Sequence, residues 1–414
     1  MDEVMLKYLH GRSLELFREP KGYLKHPFLV PGAAYDGQLW DWDSYWMSSG
    51  LFRLANMLGD REYHSKVALH ARGCLENLLA HQSRNGTVPT LIDSGRGDLF
   101  GCLQEDGPEV NQAKPVLGQL ALCIANETGD TEWLEPLFDK LLRFYGRWED
   151  RYRHLSGLLV WGSDVAIGVD NDPTTYGRPD HSSANLLLNC LYYEDLTAAA
   201  TLAGRLMRKE DALRLRQRRA EVGESVRKQC WDRRDRFFYT VDVQCADHRS
   251  NKISWADPGM PLGWATIPLR IQMFTGFLPM WCGIATKAQA HSLVVEHYLN
   301  PKSFHARWGV RTLSRSEPMY SLACSCNPSN WLGPIWILAN YYVWRGLVRY
   351  GFSKEADDLA RKTVKLLQRD LSGEGILHEY YHPDSGAHLM NPGFLSWNVL
   401  VLEMMQSVST RSEL

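Results

Sequence analysis

The chain has 414 residues, of which 44% are hydrophobic, so it is long enough to bury a large core. Its 46 basic and 48 acidic side chains give a formal net charge of -2, and the absence of long runs of one sign argues against a nucleic-acid partner. The N-terminal stretch MDEVMLKYLHGRSLELF begins with acids and has no long apolar run, so we expect no signal peptide and no membrane partner. Nine cysteines, an odd number at irregular spacing, indicate reduced thiols and a cytoplasmic location.

Apolar residues at helical spacing recur along the whole chain and predict about twelve helices. The predicted helices lie at residues 2–18, 43–58, 61–81, 109–128, 131–153, 182–205, 208–231, 260–275, 285–298, 329–351, 354–370 and 394–410. One strand is predicted in DRFFYTVDV, from Asp235, where apolar and polar residues alternate. No linker rich in Ser, Pro or Gly divides the chain, so we expect one catalytic domain over residues 1–414.

Short turns and long loops alternate between these helices, which predicts helical hairpins that close into a ring. The long loops lie at residues 31–42, 83–108, 154–181, 299–328 and 371–393. Such loops would gather on one side of the ring, and a cleft lined by several loops is the usual place for a small-molecule site.

Aromatic residues and carboxylates alternate in YDGQLWDWDSYW, which begins at Tyr35. Sugars present flat C–H faces that stack on aromatic rings and hydroxyl groups that bond to carboxylates, so this pattern favours a carbohydrate site. Six tryptophans lie in polar, Gly/Pro-rich stretches: Trp40, Trp42, Trp161, Trp308, Trp331 and Trp397. For each of them separately, ordinary core packing is the alternative interpretation.

Two stretches carry candidate catalytic carboxyl groups. WGSDVAIGVDNDPTTYGRP, from Trp161, contains Asp164, Asp170 and Asp172; a carboxyl near other carboxylates holds its proton tightly, as a general acid must. The alternative is that these aspartates cap turns. In LHEYYHPDSG, Glu379 lies among His and Tyr residues, which favours a base acting on water. The Cys324 and Cys326 pair lacks a second pair of ligands, so no metal site is predicted.

Four motifs, WDWDSYW, GVDNDP, NWLGPIW and HEYYHPDSG…FLSW, occur in this order between residues 35 and 400. In this respect the chain resembles glycoside hydrolase family 63 and the wider trehalase-like clan, and among them the small bacterial mannosylglycerate and glucosylglycerate hydrolases. The resemblance implies an all-α fold, an (α/α)6 toroid of six helical hairpins with minor β-hairpins. It also implies an inverting α-glycosidase that acts on a small sugar substrate and needs no cofactor or metal.

The resemblance assigns roles to individual residues. It implies that Asp170 is the general acid and Glu379 the general base. It implies substrate-binding roles for Tyr35, Trp40, Trp42, Asp43, Gln112, Lys114 and Trp397. Trp331 of the NWLGPIW motif and Arg311 complete the predicted substrate-binding set. Asp43 is also a candidate helix N-cap. The family often has an arginine where Leu332 stands, and Arg307 or Arg311 would compensate for its loss.

Two other functions stay open at this point. A sugar epimerase on the same toroid would move protons with histidines, and His378 and His382 are present. A non-catalytic sugar-binding protein is the second alternative. Within the hydrolase interpretation the substrate is an α-glucoside or α-mannoside, either glycosylglycerate-like or an α-glucosyl disaccharide. A carboxylate in the leaving group would call for Arg307, Arg311, Lys114 or Arg178.

Overall fold

The computed structural model describes residues 2–104, 106–244, 265–323 and 329–412. This part of the chain contains twelve α-helices and fifteen short β-strands. The helices are α1 Asp2–Ser13, α2 Asp41–Leu58, α3 Arg61–Ala80, α4 Leu117–Thr128, α5 Glu135–Tyr152, α6 Leu186–Arg205, α7 Lys209–Gln229, α8 Leu278–Trp281, α9 Lys287–Ser292, α10 Ile337–Arg349, α11 Ser353–Glu374 and α12 Val401–Ser412. The strands are β1 Phe17–Arg18, β2 Phe28–Leu29, β3 Gln38–Trp40, β4 Leu91–Asp93, β5 Gly97–Asp98, β6 Ser183–Ala184, β7 Trp231–Asp232, β8 Phe237–Phe238, β9 Val241–Asp242, β10 Ile267–Pro268, β11 His305–Ala306, β12 Gly309–Val310, β13 Ile335–Trp336, β14 Tyr380–Tyr381 and β15 His388–Met390.

The helices form two concentric layers. Helix α2 packs on α4, α4 on α6, α6 on α8, α8 on α10, α10 on α12, and α12 packs back on α2, so the even-numbered helices close a ring. Outside them, α3 packs on α2 and α4, α7 on α6, and α11 on α10 and α12. Each outer helix is followed in the chain by an inner one, and the predicted (α/α)6 toroid is therefore confirmed.

The sequence separates the two layers by how each helix is buried. Helix α6, in the inner ring, is buried on nearly all sides, whereas α7 buries one stripe that includes Ala212, Leu215, Val222 and Val226. An apolar stripe at this spacing suits a helix with solvent on its other face, and an apolar surface all round suits a helix surrounded by others. The two helices meet at Gly223, where an added Cβ would lie 2.9 Å from the Tyr193 ring.

The predicted order of helices is confirmed, but several of them begin later than predicted, α4 and α10 among them. The helix predicted at 109–128 is α4, and the one predicted at 329–351 is α10. Pro115 and Pro334 would have fallen inside the predicted helices, where proline removes a hydrogen bond and clashes with the preceding turn. The residues before these prolines are instead loops, and each loop carries a residue of the site described below.

The helix predicted at 260–275 is wrong for residues 265–275, which contain β10 and the start of a 3₁₀ turn at Phe274–Phe277. Residues 260–264 lie outside the described part of the chain, as do Cys324 and Cys326. The inner helix of this hairpin is the short α8. The strand predicted at Asp235 is confirmed as β8 and β9, which pair with β7 and with β6 and β10. Among the described helices, none has both the length and the hydropathy to cross a lipid bilayer.

Candidate active site

A cavity of about 370 Å³ opens at the end of the ring where the inner helices begin. Its lining residues are Pro31, Tyr35, Trp40, Trp42, Asp43, Thr90, Phe100, Lys114, Asp164, Val165, Ala166, Gly168, Asp170, Tyr176, Ser329, Glu379, Asn391, Phe394 and Trp397. Many of them belong to segments that lead directly into an inner helix. Four of the five predicted long loops contribute, and the described part of the loop at 299–328 does not.

A buried ion pair supports the floor of the cavity. The Asp41 carboxylate accepts hydrogen bonds from the Lys114 backbone N–H at 2.6 Å and from Lys114 Nζ at 3.1 and 3.2 Å. The same ammonium lies 5.1 Å from the centre of the Trp42 ring, a cation–π contact. Trp42 is therefore both a buried residue and a wall of the cavity, which combines the two interpretations of its sequence position.

Asp43 lies in the first turn of α2, where the helix dipole favours a carboxylate. Trp40, not Asp43, is the N-cap of this helix, so the predicted capping role is wrong. Burial raises the pKa of Asp43 to about 7, the negative charge of Asp41 adds to the effect, and the hydrogen bond from Ser396 and the charge of Lys114 oppose it. The Ser396 hydroxyl lies 2.7 Å from Asp43 Oδ1.

Glu379 reaches the cavity from the edge of a small sheet. Strand β14 follows it directly, and the Glu379 N–H donates to the carbonyl of Met390 in β15 at 3.1 Å. Burial raises the pKa of Glu379 to about 8, the charges of Asp43 and Asp170 add to the effect, and the hydrogen bond from Asn391 opposes it. Asn391 Nδ2 donates to Glu379 Oε2 from a left-handed backbone conformation, φ +49°, which asparagine tolerates better than most residues.

Asp170 lies in a loop that presses closely on the cavity floor. At Gly168 the backbone has φ +85°, and an added Cβ would lie 2.6 Å from the Lys114 side chain and 3.0 Å from the Trp42 ring. Only glycine fits this approach. Burial raises the pKa of Asp170, while the hydrogen bond from Ser329 and the charge of Lys114 oppose the change.

The carboxyl groups of the cavity interact electrostatically. Burial raises the pKa of Tyr35, and the charges of Glu379, Asp43 and Asp170 raise it further, so all three carboxylates lie within electrostatic reach of one phenol. Carboxyl groups that compete for protons in a desolvated cleft are typical of acid–base catalytic sites.

Eight of the predicted site residues line this cavity and three do not. Gln112, Arg311 and Trp331 lie elsewhere. Gln112 is buried, and its Oε1 lies 3.4 Å from the Val88 N–H. Arg311 donates to the His305 carbonyl and pairs with Asp384 at 2.9 Å, so its charge is engaged.

Trp331 stacks on Trp336, with ring centres 3.8 Å apart, and is fully buried behind Trp397. Of the six tryptophans in polar stretches, Trp40, Trp42 and Trp397 line the cavity and the other three do not. Trp161 and Trp331 are buried in the core and Trp308 is half-buried against it, because polar neighbours in sequence do not prevent an aromatic ring from turning inward.

The other two aspartates of the Asp170 loop differ in their surroundings. Asp172 is buried and accepts bonds from the Thr174 backbone and hydroxyl and from Asn185, so it stabilises the turn. Asp164 accepts from the Gly177 N–H at 2.8 Å and also lines the cavity.

The two histidines near Glu379 in sequence, His378 and His382, do not line the cavity. His378 donates its backbone N–H to Asp370, and its ring Nδ1 lies 3.0 Å from the same carboxylate. Together with His388, these two residues bring three potential metal-ligand atoms within 4.8 Å of one another. The Asp370 oxygens already accept bonds from His378 and from the Tyr381 hydroxyl, so the group fixes the strand that follows Glu379.

Sequence reasoning missed several lining residues, namely Phe100, Tyr176, Ser329, Asn391 and Phe394. Asn391 begins the Asn-Pro-Gly turn signal, which marks a turn without revealing which carboxylate it meets. Nothing in the local pattern distinguishes Phe100 or Tyr176 from ordinary loop aromatics.

Known proteins resemble this chain in both sequence and structure. A family model described as the mannosylglycerate hydrolase MGH1-like glycoside hydrolase domain matches residues 36–397. Mannosylglycerate hydrolase MGH1 of Selaginella moellendorffii is 28% identical over 124 residues, 30% of this chain. The mannosylglycerate hydrolase of Thermus thermophilus is 26% identical over 181 residues, 44% of this chain. These matches span 22% and 35% of the length of the two relatives.

Solved structures share the architecture over nearly the whole chain. The GH63 mannosylglycerate hydrolase from Thermus thermophilus, in complex with glucose, superposes with a TM-score of 0.69 at 20% identity and covers 96% of this chain and 100% of that one. Neutral trehalase Nth1 from Saccharomyces cerevisiae superposes with a TM-score of 0.63 at 17% identity over 94% of this chain and 74% of that one. At such identities the likeness concerns the fold. With the family model, it confirms the resemblance found in the sequence.

Proposed function

Because the chain belongs to the mannosylglycerate hydrolase MGH1-like glycoside hydrolase family, we propose that it hydrolyses a small α-glucoside or α-mannoside with inversion of configuration. The observation that carries this proposal is the meeting of Asp170 and Glu379 in one buried cavity, with aromatic rings around them. The reaction belongs to one domain that spans the chain, since the site draws on segments from Pro31 to Trp397. The free thiols of the six described cysteines support a reducing, cytoplasmic setting.

In the proposed mechanism, Asp170 protonates the glycosidic oxygen while Glu379 takes a proton from a water that attacks the opposite face of the sugar. Asp170 begins the step protonated and Glu379 ends it protonated, so the number of protons on the two carboxyl groups is unchanged. Trp42 and Trp397 wall in the ring, and the Asp43 carboxyl accepts hydrogen bonds from sugar hydroxyls. Negative charge near the reacting carbon stabilises the oxocarbenium-like transition state.

The raised pKa of Glu379 bears on the direction of this mechanism. A pKa raised to about 8 favours the protonated form of Glu379 at neutral pH, whereas a base must be ionised. The hydrogen bond from Asn391 favours the ionised form. Burial also raises the pKa of Asp170, which suits the residue that must carry the proton in this mechanism.

A substrate panel tests the reaction class. α-Glucosides and α-mannosides, with and without an acidic leaving group, are incubated with the protein, and at least one class should release its free hexose. An epimerised sugar without release of a second product would favour the epimerase instead, and binding in calorimetry without turnover would favour a binding protein. Neither His378 nor His382 lines the cavity, which supports hydrolysis over epimerisation.

Two variants test the assigned roles. Asp170→Asn should lower turnover of natural-type glycosides by about 10²–10⁴-fold but spare glycosyl fluorides, whose leaving group needs no proton. Glu379→Gln should slow both kinds of substrate. Asp180→Asn, which removes an exposed carboxylate from the same loop outside the cavity lining, is the control. The opposite pattern of leaving-group sensitivity would exchange the roles of Asp170 and Glu379.

A further inference from the structure

The side chains that line the cavity differ in solvent exposure, and this difference distinguishes a buried inside from an exposed mouth. Trp42, Lys114 and Glu379 are buried, whereas Val165 and Tyr176 are 39% and 51% exposed. A substrate enters where the lining is exposed. If Glu379 acts at the inside, as the proposed function has it, the cleaved sugar lies there and the leaving group extends towards Val165 and Tyr176.

Four aromatic rings of the cavity lining form a row of neighbours. Phe394 and Tyr35 have ring centres 6.1 Å apart, Tyr35 and Trp40 are 6.0 Å apart, and Trp40 and Phe100 are 5.9 Å apart. Tyr176, from the loop that carries Asp170, adds a further half-exposed ring to the same cavity. Flat rings along a path suit a flat, C–H-rich ligand, which gains van der Waals contact from stacking.

The described lining carries more acidic than basic side chains. Four carboxyl groups face the cavity: Asp43, Asp164, Asp170 and Glu379. Lys114, the one cation among the described lining residues, is 1% exposed, and its ammonium is bonded to Asp41. Asp164, immediately before Val165, puts a carboxylate where an acidic leaving group would have to lie.

The arginines expected to recognise an acidic leaving group are engaged elsewhere. Arg178 pairs with Asp242, Arg311 pairs with Asp384, and the guanidinium of Arg307 lies 5.4 Å from the Trp308 ring. These contacts fix their charges outside the cavity lining. Among the described lining residues no cation is free to pair with an anion at the mouth, and the Asp164 carboxylate would repel it.

We infer that the preferred leaving group is an uncharged ring, such as a second sugar, stacked against Phe100 and Tyr176. This inference rests on the proposed function and differs from the acidic leaving group that the names of the relatives specify. The probes are α-glucosyl and α-mannosyl fluoride, the corresponding glycosylglycerates, and neutral α-linked glucosyl and mannosyl disaccharides. We expect kcat/KM for a neutral disaccharide to exceed that for the matching glycosylglycerate by about tenfold or more.

Variants at the mouth test which side chains hold the ring. Tyr176→Leu and Phe100→Leu keep apolar volume and remove the ring, and each should lower the ratio of disaccharide to fluoride turnover by about three- to tenfold. Tyr23→Leu is the matched control, because Tyr23 is also 51% exposed but does not line the cavity. It should leave the ratio unchanged.

Removing a negative charge at the mouth should give a gain of function. Asp164→Asn keeps an oxygen to accept the Gly177 N–H and removes a negative charge, so it should raise turnover of glycosylglycerates relative to disaccharides several-fold. Equal or faster turnover of glycosylglycerates by the unmodified protein, or an unchanged ratio in both leucine variants, overturns the inference. Failure to hydrolyse any fluoride or glycoside would instead contradict the proposed function itself.

Discussion

The surroundings of Glu379 strongly disfavour the ionised form of its carboxyl group. Its pKa rises from 4.5 to about 8 because burial penalises the charged form and because Asp43 and Asp170 repel it. A carboxyl whose folded pKa is raised contributes its stability at low pH. That contribution is complete below the unfolded pKa and is lost as the pH rises towards the folded value.

The sign of this effect gives a prediction. Between about pH 4.5 and 8 the folded state binds more protons at Glu379 than the unfolded state does. The free energy of unfolding therefore falls as the pH rises through this window. Glu379→Gln should be more stable than the unmodified protein at pH 8 by up to a few kcal/mol, and the difference should shrink towards pH 4.5. Urea unfolding of both proteins across this range measures it.

The control for that comparison is Glu374→Gln, which removes an exposed carboxylate at the end of α11. It should show no difference that grows with pH. If Glu379→Gln behaves like this control, Glu379 does not carry the unfavourable charge assigned to it here.

At the scale of elements, the site depends on how closely the Asp170 loop approaches the floor of the ring. Gly168 permits that approach, because any side chain would meet Lys114 and Trp42. Gly177 in the same loop also has positive φ, +71°, but has no atom within 4 Å of an added Cβ. A comparison of alanine substitutions at these two glycines therefore separates the cost of backbone strain from the cost of steric contact.

We expect Gly168→Ala to lose clearly more stability than Gly177→Ala, which should cost only the left-handed strain of about 1–2 kcal/mol. Gly168→Ala should also lower kcat/KM by about tenfold or more, since a shift of this loop displaces Asp170. Thermal unfolding and steady-state kinetics check both variants. Equal losses in the two would mean that the close contact with Trp42 and Lys114 does not position Asp170.

The element level is also where sequence reasoning was most successful. Apolar periodicity predicted helices such as α7, which has one buried stripe, and α6, which is buried nearly all round. It failed where the predicted helix contains a proline, as at Pro115 and Pro334, since periodicity alone ignores the hydrogen bond that proline removes. Apart from β8 and β9, the short strands were not predicted, because two or three residues are too few to show alternation.

The site was predictable only where chemistry is concentrated in one stretch. The motifs around Trp42, Asp170 and Glu379 could be identified because aromatics and carboxylates are unusual neighbours. The bond from Ser396 to Asp43 joins residues 353 positions apart, and no local pattern indicates such a pairing. Arg311 was misplaced for the same reason, since its partner Asp384 is revealed only by the fold.

At the scale of the whole molecule, the ring converts distant segments into one cavity. The inner helices begin at the same end, so the segments before them converge there, and the first turn of α2 favours the carboxylates of Asp41 and Asp43. The architecture therefore brings Asp170, Glu379 and aromatic walls into one cavity, although Asp170 and Glu379 are far apart in sequence. The central claim is that Asp170 and Glu379 act from opposite faces of the sugar in a single displacement.

The anomeric form of the first product tests that claim most directly. Proton NMR recorded in the first minutes of hydrolysis of an α-linked substrate, before mutarotation equilibrates the product, identifies the hexose anomer as it is released. A single displacement with water activated by Glu379 predicts that the β-anomer appears first and the α-anomer grows in later. An α-anomer formed first would contradict the account, because retention requires a covalent intermediate and would make a nucleophile of the residue assigned here as the base.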